Sequence, residues 1–133
     1  MNVTPFLTLT KGQADAAARF YASVFPNSAV TGTTDVEPSG AEVAAPTETS
    51  TRTVSFTVAG VPFIAMDMDE KHVVPASWAN SYMVTLDEVA QYDTAFAALA
   101  KEGTVMMEQG DFGKYRKVCW ITDKFGITWQ LVV

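Results

Sequence analysis

The sequence predicts an α+β fold made of two tandem βαβββ modules within one domain, and three observations carry that prediction. Short runs rich in β-branched and aromatic residues alternate with two stretches of helical periodicity. The order of these elements repeats, because sliding one half onto the other by 75 residues lays Thr10 on Thr85 and Phe6 on Ser81. The 133 residues are 48% hydrophobic and 18% charged, enough apolar mass to fill a core without disulfide or metal staples. Module 1 is expected over about residues 1–69, a linker over about 70–79, and module 2 over about 80–133.

Each element follows from its residues. Val3 to Leu9, VTPFLTL, suits a strand. Thr10 and Gln13 stand at capping-box spacing, in which a hydroxyl and an amide satisfy free amide donors, so a helix is expected to start there. Its apolar stripe is Ala14, Ala17, Ala18, Tyr21, Val24 and Phe25, and Pro26 stops it. Ser28 to Val36 reads as a strand, and Glu37 to Ser50, EPSGAEVAAPTETS, as a mobile loop. TRTVSFTVAGVPFIAMDMD then supplies two strands joined at Ala59 and Gly60, with Val54, Phe56 and Val58 on a buried face.

The second module repeats the plan. Ser81 to Leu86 is a strand, Thr85 and Glu88 take capping-box spacing, and Val89, Tyr92, Phe96 and Leu99 form a helix stripe ended by Gly103. Strands follow at Thr104 to Gln109, Arg116 to Thr122 and Ile127 to Val133, with Asp123 to Gly126 as the last turn. Units of this size cannot bury their own sheet faces, so they share a core or pair with a second chain.

Composition narrows the function classes. The net charge is −6, from 9 Lys and Arg against 15 Asp and Glu, which repels a phosphate backbone and argues against nucleic acid. No apolar run reaches the roughly 18 residues of a membrane span, and MNVTPFLTLT lacks the basic start and cleavage site of a secretory signal, so a cytoplasmic protein is expected. Cys119 is the single cysteine and lies among Val118, Trp120 and Ile121, which describes an inert strand thiol.

Three stretches resemble the vicinal oxygen chelate superfamily, the glyoxalase/bleomycin resistance/dioxygenase fold, and within it the PhnB-like branch labelled 3-demethylubiquinone-9 3-methyltransferase. They are PFLTLTKGQADAAARFYASVFPNS at Pro5 to Ser28, GVPFIAMD at Gly60 to Asp67, and CWITDKFGITWQLV at Cys119 to Val132. The resemblance implies a homodimer and a cleft in which each module supplies two positions, from its first and last strands. In metal-using relatives those positions hold one divalent ion through imidazole or carboxylate. Here they resemble Phe6, Ser81 and Gln130, with Ile64 or Ala65 as the fourth. Such a set would forfeit most of the roughly 10 to 16 kcal/mol that a structural zinc provides.

The expectation is therefore a cleft without metal or cofactor that binds a small organic molecule, as drug-sequestering members of the superfamily do. Phe6, Thr8, Ser81 and Gln130 are expected to line it, with Tyr115 and Trp120 as walls. Trp78, Trp129 and Phe112 are further candidates for a pocket and equally for a core. If Gln130 faces the cleft, Trp129 packs behind the sheet.

Other motifs have plainer readings. MDMDEKH, Met66 to His72, mixes Asp67, Asp69, Glu70 and the single His, but acids at a strand end usually meet water. An enzyme of lyase, isomerase or dioxygenase type, with a divalent ion held by Asp67, His72 or other groups outside the usual positions, is the alternative, and a pocketless interaction protein is a third. KYRK, Lys114 to Lys117, is a basic island able to steer an anion, though such runs are mostly solvated loops. The methyltransferase label calls for a Gly-rich loop between a strand and a helix. The nearest candidate, QGDFGKY at Gln109 to Tyr115, precedes no helix in this reading.

Overall fold

The computed structural model describes all of residues 1–133. The chain divides into two units, Met1–Val73 and Val74–Val133. The first holds strands β1 (Phe6–Thr10), β2 (Val30–Val36), β3 (Glu42–Val43), β4 (Thr51–Val58) and β5 (Val61–Met68), with helix α1 (Gln13–Val24) between β1 and β2. They form one sheet in the order β1-β5-β4-β2-β3, with β1 parallel to β5 and the other pairs antiparallel.

Alternation decides which side of this sheet takes the helix. Leu7, Leu9, Val54, Phe56, Val58, Phe63 and Ala65 are buried, as are Ala14, Ala17, Ala18 and Tyr21 of α1. The alanines keep the helix surface low, so Tyr21 reaches Phe56 with ring centroids 5.9 Å apart, and Phe56 reaches Phe63 at 5.5 Å. Removing a ring from such a core costs about 3–5 kcal/mol. The hairpin at Ala59 and Gly60 forms as expected, with φ of 49° and 80°, the left-handed pair that suits the twist of two antiparallel strands.

The start of α1 differs from the expectation. Thr10 is still in β1, Gly12 is the cap residue with φ of 89°, and no side chain caps it from nearby. Instead Ala14 N donates to Asp67 Oδ1 at 2.9 Å. Asp67 follows Phe63 and Ala65 in alternation on β5, which aims it at the start of the helix. A carboxylate there also suits the positive end of the helix. Within residues 37–50, β3 pairs with β2, and the Glu37 carboxylate accepts hydrogen bonds from the Thr47 and Thr49 hydroxyls. The segment read as a mobile loop thus contains a two-residue strand and a carboxylate clasp.

The second unit holds β6 (Tyr82–Thr85), α2 (Val89–Ala100), β7 (Thr104–Phe112), β8 (Tyr115–Thr122) and β9 (Thr128–Val132), in the sheet order β6-β9-β8-β7. Again the first strand is parallel to the last and the remaining pairs are antiparallel. The repeat expected from the sequence is therefore one of topology. Its register is two residues off the 75-residue slide: Phe6 pairs with Ile64 as Met83 pairs with Gln130, so Phe6 corresponds to Met83, one pleat beyond Ser81. The capping box is displaced too. Glu88, not Thr85, caps α2, and its N–H donates to Gln91 Oε1 at 3.1 Å. QGDFGKY is the tip of the β7–β8 hairpin, turned by Asp111 and Gly113 with φ of 47° and 59°. No helix is long and apolar enough to cross a membrane.

Candidate functional site

The last turn explains why Gln130 and Trp129 point in opposite directions. Asp123 is buried, and its Oδ1 accepts from Phe125 N at 2.8 Å and Ile127 N at 3.1 Å, while Oδ2 accepts from Trp129 Nε1 at 2.9 Å. This locks the Trp129 ring on the helix side, fully buried and 5.4 Å from the Tyr82 ring. Strand alternation then sends Gln130 to the other face.

On that face one row of side chains crosses all four strands. Met83 pairs with Gln130, Gln130 with Trp120, and Trp120 with Met107, neighbours standing about 4.7–4.9 Å apart. Gln130 Nε2 donates to Ser81 Oγ at 2.7 Å, which fixes the amide and leaves its Oε1 available to accept. Trp78 meets Trp120 edge-on, with ring centroids 5.8 Å apart and an interplanar angle of 73°. The Trp120 Nε1 is hidden from solvent and has no acceptor. Both methionines of the row are exposed.

Three of the residues expected to form the site, Ser81, Trp120 and Gln130, are thus brought together. Tyr115 is not among them. It begins β8, five residues before Trp120 and on the helix-side alternation, where it pairs with Phe112 at the hairpin end. Phe6 and Thr8 belong to the first unit and lie on the face away from α1, Phe6 half exposed beside Ile64 and Thr8 beside Met66. Sequence reading did not single out Met83 or Met107; the β6–β9 and β7–β8 registers place them.

The first unit has an open hollow of about 790 Å³, lined by Lys11, Asp15, Asp35, Glu48, Arg52 and Asp67 among others. None of the six expected site residues lines it. Much of its charge is already satisfied: Arg52 donates to both Asp35 oxygens at 2.9 and 2.8 Å and to Asp15 at 2.8 Å. Asp67 serves α1, and Asp69 accepts from Lys71 N at 3.0 Å. No three His, Cys, Asp or Glu side chains are grouped to hold an ion, and His72 stands exposed in a turn. The solvated reading of Asp67 is corrected by its bond to the helix. The basic island is also engaged, with Lys117 Nζ 2.6 Å from Asp93 and Lys114 over the Tyr115 ring. Cys119 is buried, and that burial raises its pKa.

Comparison with known proteins agrees with this architecture. The family described as 3-demethylubiquinone-9 3-methyltransferase matches residues 1–132. A PhnB protein from Bacillus cereus is 29% identical, with a TM-score of 0.81 over 99% of this chain and 98% of that one. FosX, a fosfomycin resistance protein of Listeria monocytogenes solved as a mutant with Mn(II) and a dihydroxypropylphosphonic acid, is 13% identical. Its TM-score is 0.66 over 99% of this chain and 90% of that one. A glyoxylase/bleomycin resistance protein/dioxygenase domain from Frankia is 11% identical, with a TM-score of 0.65 over 100% and 96%. The last two likenesses are of fold alone. No curated protein matches the chain.

Proposed function

The chain belongs to the 3-demethylubiquinone-9 3-methyltransferase family, a PhnB-like branch of the vicinal oxygen chelate superfamily, and from that premise we propose that it binds a small organic molecule without a metal, as a cytoplasmic homodimer. The observation that carries this reading is the Ser81–Gln130 hydrogen bond beside Trp120. An amide, a hydroxyl and an indole N–H can orient an organic guest, and the two methionines offer adaptable apolar contact. Phe6 and Thr8, on the corresponding face of the first sheet, are assigned the same role.

A divalent ion does not fit these residues. The side chains around Gln130 are amide, hydroxyl, indole and thioether, with no imidazole or carboxylate among them; zinc needs imidazole, thiolate or carboxylate, and a hard ion needs more oxygen donors than one amide and one hydroxyl supply. Nor does either sheet have the doubly wound parallel order on which dinucleotide-type cofactors sit, since each has one parallel pair. Binding is therefore the activity that the groups present can perform.

A thermal-shift screen over small metabolites and aromatic antibiotics tests the proposal, because a ligand at 100 times its dissociation constant adds about 2.7 kcal/mol. Hits are expected to weaken in Gln130→Leu and Ser81→Val. Hits that survive both substitutions unchanged, or near-stoichiometric divalent metal found by mass spectrometry and lost in Asp67→Ala, would overturn it. Sedimentation at several concentrations checks the homodimer, which a strictly monomeric species would refute.

A further inference from the structure

The chemistry of the missing partner can be read from Trp120. A buried N–H without an acceptor is unfavourable and rare in folded proteins, and the Trp120 Nε1 is in that position on the same face as Gln130. An indole nitrogen only donates, so what is absent is an acceptor. No group of the chain accepts from it: the neighbouring amide turns its own N–H to Ser81, and Trp78 approaches as an aromatic edge. Trp78 is itself 60% exposed, on an irregular stretch ahead of β6. The cover on this side of the indole is thus a side chain that no strand or helix holds in place.

The charge state of the guest follows from its surroundings. Ser81, Met83, Met107, Thr122 and Thr128 flank the pair on this face and carry no charge. The nearby cations are directed elsewhere, Lys117 to Asp93 of α2 and Arg116 to the Asp87 carbonyl. An anionic acceptor would lose its hydration here and gain no counter-charge, which is strongly unfavourable. A neutral carbonyl or amide oxygen loses less and is answered by the indole N–H.

Resting on the binding role argued above, we infer that the ligand is a neutral, flat, carbonyl-bearing molecule whose oxygen accepts from Trp120 Nε1. Its apolar body lies along Trp78 and the methionines of the Met83–Gln130–Trp120–Met107 row. A ring hydroxyl or N–H beside the carbonyl would be received by Gln130 Oε1.

Three naphthalene probes separate the terms: acetylnaphthalene has the neutral acceptor, ethylnaphthalene lacks it, and naphthoate carries it as an anion. Calorimetric titration of the full chain is expected to show acetylnaphthalene binding about tenfold tighter than either of the others. Trp120→Phe keeps an aromatic ring without the donor and should abolish that preference. In the unsubstituted, nitrogen-labelled protein, the Trp120 indole resonance should move downfield with acetylnaphthalene and stay in place with ethylnaphthalene, a readout that does not depend on the variant folding. Equal binding of acetylnaphthalene and ethylnaphthalene, a preference for naphthoate, or an unmoved indole resonance sinks this inference while leaving a binding role standing. Failure of all three probes to bind, together with an empty thermal-shift screen, sinks the binding role and this inference with it.

Discussion

Two rows of side chains, one on each sheet, occupy corresponding positions and are built differently. Phe6, Ile64, Ser55 and Gly32 cross the first sheet, while Met83, Gln130, Trp120 and Met107 cross the second. The frame beneath them is alike, a parallel pair of first and last strands with two antiparallel strands alongside, to which the first sheet adds the two-residue β3 at its edge. The first row falls away to a small side chain and then to none. The second keeps its bulk across the sheet and adds an amide and an indole. Shared topology therefore fixes where a side chain stands and leaves its chemistry free, and the local devices that hold each frame diverge in the same way.

Glycine gives the largest test of that divergence. A Cβ on Gly103, at the passage from α2 to β7, would lie 2.4 Å from the Leu99 carbonyl oxygen and 2.6 Å from that of Thr122. Both are backbone atoms that cannot swing aside. Gly103→Ala is expected to cost about 3 kcal/mol or more in chemical denaturation. Gly12, at the start of α1, has a positive φ but nothing within 4 Å of its Cβ position, so Gly12→Ala should cost only about 1–2 kcal/mol. A reversed order would mean that the second unit has slack between helix and sheet where the contacts show none.

The next effect is one of pH, and it belongs to the first unit. Hydrogen bonds from Arg52 hold the Asp35 carboxyl below its ordinary value of 3.8, outweighing the opposing effect of burial. A lowered folded-state pKa means that the folded protein binds fewer protons than the unfolded one. The stabilisation is then complete above the ordinary carboxylate range and is lost as pH falls through the depressed value. Asp35→Asn should be less stable than the parent at neutral pH, and its denaturation midpoint should fall less steeply on acidification below pH 3.8. Parallel acid titration curves for the two proteins would show that the Arg52 pairing is not what lowers the carboxyl.

The frame was legible in the sequence because it rests on alternation, and alternation is local. Leu7 and Leu9, or Val54, Phe56 and Val58, announce their buried face whatever lies beyond them. Both helix starts were misplaced for one reason: Thr10 and Thr85 have the right spacing to a Gln or Glu, but each is still the last residue of a strand. A spacing rule cannot see where pairing ends. Asp67 over Ala14, Arg52 between Asp15 and Asp35, and Trp78 against Trp120 join residues far apart in sequence, and no pattern along the chain advertises them. Gln130 stands out in the sequence because it is polar among apolar neighbours. Met83 and Met107 do not stand out, because an exposed methionine on a strand looks like any half-buried position.

The smallest effect is expected where the second unit repeats an ion pair of the first. Arg52 on β4 meets Asp15 of α1, and Lys117 on β8 meets Asp93 of α2, so each unit ties a middle strand to its helix by one cation. The first tie is shared with a buried acid; the second is exposed, its partners 38% and 55% accessible. Water and salt screen an exposed pair, and holding two flexible side chains together opposes the gain. The Lys117 ammonium lies 5.5 Å from the Tyr92 ring centroid, which places its stem along the sheet-to-helix contact. Lys117→Met keeps that packing and removes only the charge. Its stability should therefore change by no more than about 0.5 kcal/mol, and any difference should shrink further at high salt. A loss of the size expected for Gly103→Ala would show that the exposed tie carries the second unit.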